Sequence, residues 1–160
     1  MNKAVFLDRD GVINFDRDDY TWRVEDFVVL DGAIEAMKIM QNKGYMLIII
    51  TNQGGISKNI YSHLDVKALH VHLVSILLKA GITLTEIYYC PHHNDIEKCI
   101  CRKPESQLLE KAMARFGIDP DLSYFVGDRE RDIEAGIQAG VTPVKIETNA
   151  SLLEVLDKIK

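Results

Sequence analysis

Four short stretches carry side chains whose types and spacing could do chemistry. Near the start, Asp8-Arg9-Asp10-Gly11 sets two carboxylates two positions apart and follows them with a glycine. Thr51-Asn52-Gln53-Gly54-Gly55 is a polar, glycine-containing run, Arg102-Lys103-Pro104 offers two cations, and Gly127-Asp128 adds a third carboxylate. A D-x-D-G pattern alone also matches acidic turns. A calcium loop is disfavoured, because Val12 and Ile13 stand where further oxygen ligands would follow. Taken together, carboxylates, a hydroxyl and a lysine describe a site for magnesium and phosphate. Mg²⁺ prefers carboxylate and carbonyl oxygen and bridges to phosphoryl groups. A carboxylate needs such help to meet a phosphate, since like charges ~4 Å apart repel by roughly 4 kcal/mol at an effective dielectric near 20.

A second constellation is Cys90-Pro91-His92 followed, after residues 93–98, by Cys99-Ile100-Cys101. Three thiols and an imidazole form a closed, structural zinc set with no position left for a substrate. Reduced cysteines beside a surface histidine are the alternative. The loop runs straight into Arg102-Lys103, so zinc there would fix the backbone that aims both cations. A nucleic-acid zinc module would need basic surroundings, and residues 93–97 read HNDIE.

The elements that must position these residues alternate between strand and helix. Residues 4–7 are wholly apolar, and residues 45–50 are apolar on both faces, as buried parallel strands are. Further strands are expected over 82–89, 122–126 and 141–146. Helices are expected over 33–42, with Gly44 as terminator, and after Ser62, where Asp65 completes a capping box and Val66, Leu69, Leu73 and Leu77 share a face. Two more are expected over 104–116, with Pro104 in the first turn, and over 131–139 before Gly140. A terminal helix follows Ser151-x-x-Glu154. Alternation of this kind predicts an α/β fold of three layers, with a mostly parallel central sheet covered on both faces. The polar groups at the ends of parallel strands then lie along one edge, where such sheets bind ligands.

The chain has 160 residues and a net charge of −5. This length suits one domain with a full core. The acidic balance argues against nucleic acid or acidic membranes as partners. No apolar run reaches membrane-spanning length and the first residues lack a signal-peptide pattern, so a cytoplasmic monomer acting on a small phosphorylated metabolite is expected. Three cysteines in such a chain point to metal or free thiols and away from a disulfide framework. His63, His70 and His72 are expected at the surface, and Tyr20 and Trp22 either cover an entrance or anchor a loop.

In this order, the four stretches resemble the motifs of the haloacid-dehalogenase (HAD) superfamily of phosphatases. Asp8-Arg9-Asp10-Gly11 is similar to its first motif, Thr51 to its second, Lys103 to its third, and Gly127-Asp128-Arg129-Glu130-Arg131-Asp132 to its fourth. The resemblance implies that Asp8 attacks phosphorus and that Asp10 acts as general acid and base. It implies that Thr51 and Lys103 stabilise the phosphoryl group, and that Asp8, Asp10 (through its backbone carbonyl) and Asp128 hold Mg²⁺. Asn52, Gln53, Arg102 and Arg129 are expected to bind substrate. Asp132 either orients Lys103 or a metal-bound water, or serves as a helix-start carboxylate favoured by the dipole.

The zinc loop, with Zn²⁺ on Cys90, His92, Cys99 and Cys101, is similar to that of the branch holding the heptose bisphosphate and histidinol-phosphate phosphatases. Neither the interval from Asn14 to Thr51 nor that from Asn52 to Lys103 has room for a separate cap domain, so loops must choose the substrate. Asn14, the run 20–37 and the loop TNQGGISK resemble the heptose enzymes. The short interval from His92 to Cys99 and the run GDRERD resemble the histidinol enzymes at least as much. The heptose bisphosphate is the expectation and histidinol phosphate the alternative. A silent zinc-stabilised binding protein would be expected to lack Asp8, Asp10 or Lys103, and a phosphatase of nucleic-acid ends would be expected to have a basic face.

Overall fold

A computed structural model describes residues 1–160. The runs that are apolar on both faces become neighbouring strands at the centre of one sheet. Strand β1 (Ala4–Leu7) lies between β2 (Met46–Asn52) and β4 (Tyr124–Gly127), with β3 (Glu86–Cys90) outside β2 and β5 (Thr142–Lys145) outside β4. All four pairings are parallel, so the sheet expected to be mostly parallel is entirely so. From β1 the chain builds outward to β3, then crosses back to place β4 on the other side of β1. The carboxyl end of β1 is thus the point where strand order reverses, and there a crevice opens.

Alternate side chains along the strands feed two cores. Val5, Leu7, Leu47 and Ile49 pack with α1 (Ala33–Asn42) and α2 (His63–Lys79) through Met37, Met40, Leu69 and Leu73. Phe6, Ile48, Ile50 and Phe125 pack on the opposite face with α3 (Gln107–Phe116) and α4 (Glu130–Ala139) through Leu109, Ala112 and Ala135. Strands buried on both sides need no polar alternation, which is why their sequences show none.

Local signals act as expected at Ser62, whose hydroxyl accepts from Asp65 N while the Asp65 side chain accepts from Ser62 N. Several elements differ from expectation, three of them for a visible reason. Helix α3 begins at Gln107, because Asn52 holds the Lys103 backbone by two hydrogen bonds and the chain must turn through Pro104 before it can coil. Strand β3 begins at Glu86, although Thr85 N already bonds Leu47 O. The terminal helix is a 3₁₀ turn, Leu152–Lys158, whose buried Leu152 and Val155 join the α1 side of the core. No helix is long and apolar enough to cross a membrane.

Candidate active site

Asp8 follows the last residue of β1 and is almost fully buried. Lys103 Nζ forms ion pairs with Asp8 Oδ1 at 3.0 Å and Asp132 Oδ1 at 2.7 Å, and donates to the Ile50 carbonyl at 2.9 Å. Asp132 Oδ2 accepts from Arg129 N at 3.0 Å. Asp132 thus stands both as a first-turn carboxylate of α4 and as a counter-charge to Lys103. Burial lowers the pKa of Lys103, but Asp8 and Asp132 outweigh it and the net shift is upward, so the lysine stays charged. Asp8 is raised to about 7, chiefly by burial, even with Lys103 pulling it down. Its carboxylate form near neutrality calls for a further cation.

Asp128, at the end of β4, supplies the place for one. Its Oδ2 accepts from Thr148 Oγ1 at 2.7 Å, while its buried Oδ1 has no hydrogen-bond partner. One carboxylate oxygen from each of Asp8, Asp128 and Asp132 falls in a group spanning no more than 4.8 Å. Asp132 is committed to Lys103, so Asp8 and Asp128 are the free donors. Gly11 closes this side with φ +83°, and a Cβ there would lie 2.5 Å from Asp128 Oδ2. An orphaned buried oxygen and an all-oxygen donor set fit a hard divalent cation.

Asp10 is held differently. Arg9 Nη2 donates to its Oδ1 at 2.9 Å, Asn14 Nδ2 to the same oxygen at 3.0 Å, and Gln53 Nε2 to Oδ2 at 3.2 Å. Burial works to raise its pKa, but Arg9 and these hydrogen bonds outweigh it and hold the carboxyl below the usual range. Gln53 Nε2 also reaches Thr51 Oγ1 at 2.9 Å, and Gln53 Oε1 accepts from Tyr61 at 2.7 Å. One side chain thus ties Thr51 to Asp10.

Arg9 and His70 were not marked by the sequence patterns. Arg9 is fully buried; it donates to the Thr21 carbonyl at 2.7 Å and meets His70 Nε2 at 3.1 Å. The expectation that His70 lies at the surface is corrected: it is buried. Desolvation and the Arg9 charge hold its pKa at about 3, which keeps the imidazole neutral and able to accept from Arg9. His63 is exposed, as expected, and meets the Tyr89 hydroxyl. Trp22 stacks on Tyr61 and Tyr20 meets the same ring edge-on, so both aromatics anchor the loop, and Tyr20 also lines a cavity.

The cysteine cluster forms beside this edge. Cys90 Sγ lies 3.7 Å from Cys99 Sγ and 3.1 Å from Cys101 Sγ, and His92 Nδ1 lies 3.4 and 3.2 Å from Cys90 and Cys101. Four donors around one zinc, with Zn–S bonds of about 2.3 Å, would stand roughly 3.5–3.8 Å apart, so the set fits the ion after small adjustments. Burial pushes the Cys90 thiol up, so its ligating thiolate form depends on a cation. The loop is tied forward, because Arg102 N meets Cys99 Sγ at 3.4 Å and Arg102 Nη1 donates to the His92 carbonyl at 2.9 Å.

A cavity of about 340 Å³ opens over Asp10. Asn52, Gln53 and Arg102 line it. Arg129 does not, being paired with Asp16 at 3.1 Å and Asp128 at 3.5 Å; Arg131 stands on the lining instead.

The HAD-hydrolase-like family model matches residues 100–160. A D-glycero-beta-D-manno-heptose-1,7-bisphosphate 7-phosphatase of Haemophilus influenzae is 41% identical over 146 residues, covering 88% of this chain and 79% of that protein. The chain belongs to this family of HAD phosphatases. A D-glycero-alpha-D-manno-heptose-1,7-bisphosphate 7-phosphatase of Campylobacter jejuni is 40% identical over 139 residues, covering 87% and 78%. The crystal structure of a D,D-heptose 1,7-bisphosphate phosphatase from B. bronchiseptica with magnesium and phosphate superposes with a TM-score of 0.86 at 28% identity, covering 99% of this chain and 87% of that one. The protein is thus a phosphoric monoester hydrolase. Of the two branches the sequence left open, these relatives fall in the heptose branch.

Proposed function

We propose that this phosphatase removes the 7-phosphate of D-glycero-D-manno-heptose 1,7-bisphosphate, with Mg²⁺ at the Asp8–Asp128 edge and zinc as a structural ion. The observation that carries the chemistry is the pairing of Asp8 with Lys103 at 3.0 Å, directly beside the unpartnered Asp128 oxygen. It gives the buried carboxylate one cation at 3.0 Å and, at Asp128, a place for a second, and together these would let it approach a phosphate dianion. Mg²⁺, bound by Asp8, the Asp10 carbonyl and Asp128, would supply further charge neutralisation there.

In the first half-reaction an Asp8 oxygen bonds to phosphorus as the bond from phosphorus to the sugar O7 breaks. Asp10 delivers a proton to that leaving oxygen, and an aspartyl-phosphate remains. In the second, water attacks phosphorus, Asp10 takes its proton, the bond to Asp8 breaks and phosphate departs. The resting Asp10 is ionised, which suits the second half. The negative charge of the arriving phosphoryl group favours the protonated form needed in the first. Thr51 donates to the phosphoryl oxygens while Lys103 balances their charge. Asn52, Gln53 and Arg102 contact the rest of the substrate, and the zinc loop holds Arg102 in place. The chain works as a single domain on a small metabolite.

Asp8→Asn tests the reading: with the fold intact by circular dichroism, turnover of the heptose bisphosphate should be lost. Substantial remaining turnover would remove Asp8 as nucleophile. A wild-type enzyme that preferred histidinol phosphate would overturn the substrate.

A further inference from the structure

The cavity over Asp10 is lined by groups of both signs, Asp16, Asp18 and Asp19 together with Arg102, Arg131 and His93. The acids are partly answered within the protein, since Asp16 pairs with Arg129 and Asp19 lies 3.9 Å from Arg17. The cations are not. Arg102 spends one nitrogen on the His92 carbonyl and meets no carboxylate, and no ion pair of the protein uses Arg131. Two guanidinium groups lining one cavity, neither paired with a carboxylate, are an arrangement that an anion would relieve.

We propose that Arg131, from the first turn of α4, completes a second anion subsite with Arg102 and His93, and that it selects substrates carrying a second phosphate. The inference rests on the bisphosphate reading above and extends it to a residue that the sequence patterns passed over in favour of Arg129. The cavity is polar almost throughout, with Tyr20 its sole hydrophobic lining residue. It suits a hydroxyl-rich spacer, whose hydroxyls can donate to the lining aspartates, better than an apolar one. A phosphate bound by the two guanidinium groups would leave the other phosphate to react at Asp8. Remote binding of this kind fixes which end of the molecule reacts. Arg131 is exposed and at a helix start, so replacing it leaves the core untouched.

The experiment compares kcat/KM for heptose 1,7-bisphosphate with kcat/KM for heptose 7-phosphate in the wild type, Arg131→Gln and Arg131→Lys. The bisphosphate-to-monophosphate ratio should fall about 10- to 100-fold in Arg131→Gln, with the loss mainly in KM for the bisphosphate, and recover in part in Arg131→Lys. A ratio unchanged in Arg131→Gln would overturn the subsite while leaving the bisphosphate reading intact. A wild-type ratio near one would overturn that reading and the subsite together.

Discussion

Asp132 Oδ1 lies 2.7 Å from Lys103 Nζ, closer than the nucleophile candidate Asp8 at 3.0 Å. The lysine is therefore aimed by a residue from α4, across the sheet edge from the loop that carries it. Asp132→Asn keeps the volume and leaves an oxygen for Arg129 N, but removes the charge that holds the ammonium. We expect kcat to fall about 10- to 100-fold with a smaller change in KM, measured by steady-state kinetics. An equal loss in thermal stability and kcat alike would mark Asp132 as merely structural.

Lys103 is itself nearly inaccessible, with a side chain 1% exposed. Lys103→Met would leave Asp8 and Asp132 facing one another without their shared cation. Breaking a buried pair from one side costs roughly 3–5 kcal/mol. Denaturant unfolding at pH 7.5 without added metal should show a deficit of that order, and activity should be lost.

Asp8 raised to about 7 makes metal binding depend on pH. Below that value a proton must leave before the carboxylate can bind an ion, so Mg²⁺ affinity should climb as pH rises towards 7, by up to about tenfold per unit, and level off above it. Titration calorimetry at pH 5.5, 6.5 and 8 reads this directly. The same shift weakens the metal-free fold as pH rises. The proton held by folded Asp8 stabilises below its ordinary value of 3.8, and this contribution is lost as pH climbs through about 7. Mg²⁺ should restore more stability at pH 8 than at pH 5.5.

Cys99 belongs to the Cys/His group proposed to hold zinc, and its sulfur is also the one that Arg102 N meets at 3.4 Å. Purified protein should contain about one zinc, and Cys99→Ser should lose most of it. Because the loop ends at Arg102-Lys103, kcat/KM should drop roughly 10- to 100-fold in the same variant. Metal content by mass spectrometry and kinetics on one preparation test both parts.

Gly11 stands where a side chain has no room. With φ at +83° and a Cβ position 2.5 Å from Asp128 Oδ2, Gly11→Ala strains the backbone by about 1–2 kcal/mol and pushes Asp128 from its place. The expected outcome is a lower melting temperature together with weaker Mg²⁺ binding, read by thermal melts with and without the ion.

Residue types and their spacing dictate the alternation of elements and the residues at the ends of β1, β2 and β4. Strands apolar on both faces must be central and parallel, and parallel strands bring their carboxyl ends to one edge. Asp8, Thr51 and Asp128 therefore had to converge. The cysteine and histidine donors were legible for a related reason: they sit close in the chain, and their chemistry has few other uses. Contacts between residues far apart in sequence emerge only on folding, because local spacing carries no signal for them. Arg9 reads as a surface cation until His70 and Thr21 enclose it. Asp132 reads equally as a partner of Lys103 or of a metal-bound water and as a helix-start carboxylate until Lys103 is seen to reach it from another loop. The choice between Arg129 and Arg131 at the cavity depends on which acid each one meets, and Asp16 claims Arg129 across more than a hundred residues of chain. Burial is a property of the whole packed molecule, so the charges it shifts and the partners it enforces exist only once the fold has closed.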